Sequence, residues 1–172
     1  MKHLSVVLAA LSLAACYPTT TRPSLTPLPE AAVAEWELFV PEAMRTLALA
    51  LDADSIPVSR TEPDDGWLET PWFDAATLRP TTRRPLGEGV VRLRAWADPA
   101  RPNHSAVTVE VVYIPAADPS REGRALERVV PPGHPIALRV AALLDGLSRR
   151  VGGEAGPPSP APPPLVPDDN SQ

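Results

Sequence analysis

Lysine, cysteine and histidine are nearly missing from this chain, and each shortage removes a class of chemistry. Lys2 is the only lysine, and every other basic residue among the sixteen is an arginine. Beyond residue 2, then, no side-chain amine exists to form a Schiff base or to act as a general base. Cys16 is the only cysteine, which excludes disulfides and thiolate metal sites within the chain. The three histidines are His3, His104 and His134. Neither His104 nor His134 has a second histidine or a carboxylate at metal-ligand spacing, and both read as solvent-facing loop residues. No glycine-flanked serine elbow, phosphate-binding loop or zinc-protease helix is present, and no motif calls for a cofactor or a metal. The acidic pair Asp64-Asp65 stands beside Gly66, where turn chemistry explains it better than acid/base work. A net charge of −5 gives no support to nucleic-acid binding.

Long apolar runs are also lacking. The longest apolar stretch, residues 4–13, falls well short of the roughly 20 residues of a spanning helix. It follows Lys2 and His3 and leads into Leu13-Ala14-Ala15-Cys16. A charged start, an apolar middle and small residues before a cut are the layout of a secretory signal. Here the third residue before the cut is Leu13, and a thiol follows it. A lone cysteine is commonly a buried structural residue, but Cys16 lies between the signal-like segment and a Pro/Thr-rich stretch where no core forms.

The run ending at Cys16 resembles the lipobox of bacterial envelope lipoproteins. That resemblance implies removal of residues 1–15, a diacylglyceryl group on the Cys16 sulfur and acylation of the new amino terminus. Two or three acyl chains, at about 0.8 kcal/mol per buried methylene, anchor a protein stably. Tyr17 in place of an Asp after the cysteine favours, by the same analogy, the outer membrane over the inner one, with the body facing the periplasm.

Proline divides the remainder. Residues 16–29 read as a lipidated cysteine followed by a tether, with Pro18, Pro23, Pro27 and Pro29 favouring extended polyproline conformations. At about 3.1 Å per residue the tether reaches roughly 40 Å. Residues 153–172 carry a second proline-rich stretch and end near Asp168-Asp169, a composition that predicts a disordered tail. Residues 30–152 remain as one domain with a core.

Within that domain Val33, Trp36, Val40, Met44, Leu47 and Leu51 are spaced by three or four, which predicts a helix. Pro41 either kinks it or starts a fresh one, with Glu42 suited to the positive helix end. Pro135 opens a second helix with the stripe Ile136, Val140, Leu143, Leu147 and Val151, stopped at Gly152-Gly153. Between the helices, residues 55–61 and 67–73 predict one hairpin about a Pro-Asp-Asp-Gly turn, and residues 89–98 and 105–114 a second. Val91, Leu93, Ala95 and Ala97 oppose Arg92, Arg94 and Trp96, so one face is apolar and the other mixed. The expectation is an α+β fold, α-β-β-β-β-α, in which an antiparallel four-stranded sheet has both helices packed on one face.

The mixed face is the candidate interaction surface, formed by Trp67, Arg92, Arg94 and Trp96. An arginine stacked on a tryptophan there would make an amphipathic platform, whereas Trp72 beside Leu68 reads as core packing. Arg79, Arg83 and Arg84 lie in the long segment between the hairpins, and clustered arginines bind phosphates or carboxylates bidentately. Such a loop is a natural contact element.

Residues 66–73, Gly-Trp-Leu-Glu-Thr-Pro-Trp-Phe, resemble the Gly-x-[Ile/Leu]-x-Thr-x-Trp strand of lipoproteins related to the C lipoprotein of the outer-membrane β-barrel assembly machinery. That resemblance implies a helix-grip-like module without enzymatic activity that docks on other envelope proteins. One such module is present instead of the family's two. The resulting expectation is a non-catalytic binding or assembly-accessory module tethered to the membrane through Cys16, with other envelope proteins as partners. Two further readings are a carrier of a small apolar ligand, which requires an enclosed cavity, and a hydrolase, which requires a histidine converging on a carboxylate or hydroxyl.

Overall fold

The computed structural model describes residues 20–156. The signal-like segment, Cys16 and the tail from residue 157 lie outside the described residues. The chain order is β1 (Ala32–Trp36), α1 (Val40–Ala53), β2 (Arg60–Glu62), β3 (Trp67–Glu69), β4 (Phe73–Asp74), β5 (Val90–Pro99), β6 (Ser105–Tyr113), α2 (Gly123–Leu126), β7 (Arg128–Val129), α3 (Pro135–Val151) and β8 (Glu154–Gly156).

β5 and β6 form the central hairpin, in register from Arg92 opposite Val112 to Pro99 opposite Ser105. Their turn places Asn103 at φ 63°, a conformation that Asn tolerates better than most residues. The strands run β2-β3-β5-β6-β1-β8 across the sheet, every pairing antiparallel; β7 pairs with β6, and the short β4 pairs with β5. Val91, Leu93, Ala95 and Ala97 of β5 point to one face and meet Met44, Leu47 and Leu51 of α1 and Ile136, Val140, Leu144 and Leu147 of α3 in one core. The protein is therefore α+β with an antiparallel sheet.

The details differ from the expected four strands and two helices. β1 occupies residues that were expected to be helical. Its five positions satisfy both periods: Val33, Trp36 and Val40 match a helical stripe, while Ala34 and Trp36 point inward as strand alternation requires. Pro41 decides the matter, because the helix starts afresh with this proline in its first turn. The first hairpin is also shorter than its sequence span. Residues 55–59 stay outside the sheet, and Pro71, which has no N–H to give a ladder, separates β3 from β4. α2, β7 and β8 have no periodicity long enough to detect. β8 adds residues that were expected in the disordered tail to the edge beside β1.

Helix ends follow local chemistry. α1 ends in a Schellman arrangement, with Ile56 N–H bonded to Leu51 C=O at 2.8 Å and Ser55 N–H to Asp52 C=O at 2.9 Å. α3 begins where His134 Nδ1 accepts the Ile136 N–H at 3.3 Å. It stops at Gly152, whose φ of 74° suits glycine. A buried bond from Trp36 Nε1 to Ser148 Oγ, 3.0 Å long, ties β1 to α3.

Candidate functional site

The sheet face turned away from the two long helices carries a row of alternating charge. Arg60 on β2 stands opposite Glu69 on β3, Glu69 opposite Arg94 on β5, and Arg94 opposite Glu110 on β6. Opposite charges at paired positions attract across each strand boundary. The segment holding α2 and β7 then folds over the row and adds Arg124 and Glu127.

Arg94 is the hub. Its Nε donates to Glu69 at 2.8 Å, Nη1 to Glu127 at 2.6 Å and to Glu110 at 3.3 Å, and Nη2 to the other Glu127 oxygen at 3.0 Å. Arg124 donates to Glu110 at 2.6 Å and to Glu127 at 2.8 Å. Arg92 reaches Glu69 at 3.3 Å, and its guanidinium lies 4.7 Å from the centre of the Trp72 ring. Three arginines thus offset three glutamates. Arg94 is 4% exposed, Glu110 0% and Glu127 4%, so these ions are stable only while all remain paired.

The ionisation states follow from the geometry. Burial alone would weaken protonation of Arg94, but the hydrogen bonds to Glu127 and Glu69 outweigh it and hold the cation more firmly than usual. Burial alone would raise the Glu127 carboxyl, and the N–H groups of Arg94 and Arg124 bring it instead below the usual glutamate range. Arg92 is lowered by burial, against the attraction of Glu69. The network is charged at neutral pH and largely self-neutralising.

Trp67 and Trp96 sit beside this row. They are register partners, with ring centres 5.0 Å apart in an edge-to-face arrangement. Both are 0% exposed yet stand outside the core cluster on the helix side. Their indole N–H groups have no hydrogen-bond partner among the described residues. In an edge-to-face pair only one ring offers its edge to the other's face, so at least one N–H stays buried and unpaired, at about 1–3 kcal/mol.

The cover over this face is the stretch expected to be a free tether. Thr21 donates through its backbone N–H (2.5 Å) and its hydroxyl (2.6 Å) to Asp65. Arg22 clamps the Asp98 carboxylate with two bonds of 2.7 and 3.1 Å. Further along, Arg124 donates to Thr26 C=O at 2.6 Å, and Leu28 N–H donates to Glu110 at 3.0 Å. These pins bracket Trp96, which lies on β5 between Asp98 and Arg94. Hydrogen bonds from Thr21 also hold the Asp65 carboxyl below its usual range. Residues 20–29 are thus a strap on the domain, a correction to the expected spacer.

The expected interaction surface is corrected in the same way. Trp67, Arg94 and Trp96 share one face as anticipated, but all three are buried. Arg92 stacks on Trp72, so Trp72 belongs to this face and not to the core beside Leu68. Arg79, Arg83 and Arg84 are exposed on a separate loop. Arg83 pairs with Asp74 at 3.2 Å, and the loop touches the site only at its border, where Thr81 N–H bonds Trp72 C=O at 3.0 Å. Sequence reasoning missed Glu69, Glu110, Glu127 and Arg124. The register of the β5-β6 hairpin carried the signal for Glu110 opposite Arg94; Arg124 and Glu127 left none, since they come from a segment without periodicity.

Residues 66–73 each have a place in this arrangement. Gly66 has φ +62°, and a Cβ there would meet Ala97 O at 2.2 Å. Leu68 and Phe73 enter the core. Thr70 accepts the Leu93 N–H on its hydroxyl at 2.8 Å and donates its own N–H to Leu93 C=O at 3.0 Å.

His104 and His134 serve local structure, the first with Nδ1 2.9 Å from Pro102 O in the β5-β6 turn, the second at the α3 start. An open groove of about 930 Å³ lies between α1 and α3, lined by Leu49, Ala53, Arg139 and Leu143 among others. Among the described residues no group of three or more His, Cys, Asp or Glu could hold a metal ion, and no helix is long and apolar enough to cross a membrane. Fold and site together define a small α+β domain with one sheet face sealed by an ion network and a strap. No protein-family model, curated protein or solved structure matches the chain.

Proposed function

We propose that this protein is a bacterial envelope lipoprotein, anchored through acyl chains on Cys16 and acting as a non-catalytic binding or assembly-accessory module at the periplasmic face of the outer membrane. The observation that carries the reading is the run Leu13-Ala14-Ala15-Cys16 behind a short apolar segment, which leaves a lipidated cysteine at the mature amino terminus. The docked strap supports it and shortens the leash. Only five peptide units separate Cys16 from Thr21, and at about 3.3–3.6 Å each they span less than about 18 Å. The hairpin bearing Asp65 therefore rides close to the lipid surface.

Support for the binding role comes from the ion network, in which Arg94, Arg124, Glu110 and Glu127 are engaged with one another. Buried, fully paired groups of this kind shape a surface better than they transfer protons. The sheet with two helices on one face is read further as helix-grip-like, and the strand at residues 66–73 as kin to the barrel-assembly lipoproteins. Other envelope proteins are the proposed partners. Metabolic palmitate labelling tests the anchor: the wild-type chain takes up label and fractionates with the outer membrane, and Cys16→Ser does neither. An unlabelled wild-type product that localises like the Cys16→Ser variant would falsify the reading.

A further inference from the structure

We infer that the Trp67/Trp96 face is a latent docking site for a proline-rich, arginine-bearing extended segment of a partner protein, and that the strap occupies it as an intramolecular stand-in. This rests on the binding role above and is independent of the lipid. Three observations carry it.

First, the seated occupant has the composition of the ligand. Residues 20–29 read Thr-Thr-Arg-Pro-Ser-Leu-Thr-Pro-Leu-Pro, a pattern that favours extended polyproline conformation, and proline-rich peptides dock on aromatic-lined surfaces with their low-entropy backbone preformed. Second, the fit is incomplete. Trp67 Nε1 and Trp96 Nε1 are buried without an acceptor, and these are the donors with which tryptophan fixes a peptide carbonyl. A segment that supplied a carbonyl to either would bind better than the strap does. Third, the strap's outer pins are exposed and separable. Arg22 and Asp98 both reach solvent, and the Thr21 bonds to Asp65 lie at the surface. Asp98 and Asp65 also set the charge of the occupant. The chain's own proline-rich tail, which has no arginine and closes near Asp168-Asp169, is a poor match to them.

The test uses the full chain carrying Cys16→Ser, so that no lipid takes part, and a fluorescein-labelled peptide with the sequence of residues 20–29. Arg22→Glu places a carboxylate against Asp98 and lifts the strap. Its tryptophan emission is expected to shift to the red, and it is expected to bind the peptide at least about tenfold more tightly than the parent, because a tethered competitor no longer lowers the open fraction. Replacing Pro23, Pro27 and Pro29 of the peptide by alanine should abolish the gain, and adding Asp98→Arg to Arg22→Glu should restore the closed state. If Arg22→Glu loses its cooperative melt, Asp65→Ala, which removes the acceptor of both Thr21 bonds, carries the same measurement. Peptide binding that is equal in parent and variant, or indifferent to the prolines, overturns the inference. So does tighter binding by a peptide of residues 157–169, which would assign the face to this chain's own tail. Failure of the palmitate experiment would leave this result untouched.

Discussion

The two faces of the sheet are sealed by opposite means. On the helix side, Met44, Leu47, Leu51, Leu93 and Leu144 exclude water through apolar contact, which is non-directional and tolerant of small shifts. On the strap side, the buried ions Arg94, Glu110 and Glu127 are held by pairing with one another and with Arg124, a directional arrangement that fails when one member leaves. The first face explains why the domain folds. The second explains why it presents one particular surface, since Glu110, held by Arg94 and Arg124, also fixes the strap by accepting the Leu28 N–H.

Removing the hub should separate the two most sharply. Arg94→Met leaves Glu69, Glu110 and Glu127 facing one another without their shared cation, at a cost of about 3–5 kcal/mol at neutral pH. Urea melts would measure it. That cost should shrink in acid. The folded Glu127 carboxyl is held low, so its contribution is complete above the unfolded glutamate value of about 4.3 and is lost as pH falls through the lower folded value. An Arg94→Met penalty that stayed constant from pH 7 to pH 3 would break the electrostatic side of the comparison.

Leu47→Ala on the opposite face should cost about 2–5 kcal/mol through lost burial and an unfilled cavity. Unlike the hub variant, its penalty should be the same at both pH values. A third change tests the turn that brings the faces together. Gly66→Ala adds a Cβ against Ala97 O in a positive-φ residue, and the conformation alone costs roughly 1–2 kcal/mol before any clash. A melting temperature equal to wild type would show that the β2-β3 turn relaxes freely.

The smallest effect belongs to an ion pair that neither face buries. Arg139 donates to Asp54 Oδ2 at 2.8 Å and to its backbone carbonyl at 2.8 Å, with both side chains well exposed. Arg139→Ala should cost no more than about 1 kcal/mol and less in high salt. A loss approaching that of Arg94→Met would mean that burial is not what distinguishes the network.

Periodicity made much of this legible. The alternation in β5 and β6 separated Leu93 from Arg94 and Val109 from Glu110, and Pro135 with Gly152 bracketed α3, because long elements repeat their pattern several times. β1 escaped because five residues satisfy both the strand and the helix period. The strap escaped for another reason: proline-rich composition records the lack of an apolar stripe and is silent about a segment that binds through Arg22 and a backbone N–H.

Residue by residue, the chain alone determined the stripe of α3 and its start at Pro135, the β5-β6 hairpin and the position of a single thiol after a signal-like run. All of these are set by neighbours a few positions apart. Only the tertiary structure decided that Trp67 and Trp96 are covered and that Arg94 meets Glu127 thirty-three positions away. The same holds for Arg22, which reaches Asp98 across seventy-six. Such contacts form when the sheet has already aligned distant segments, and no local pattern in a sequence encodes which of several arginines will find which carboxylate.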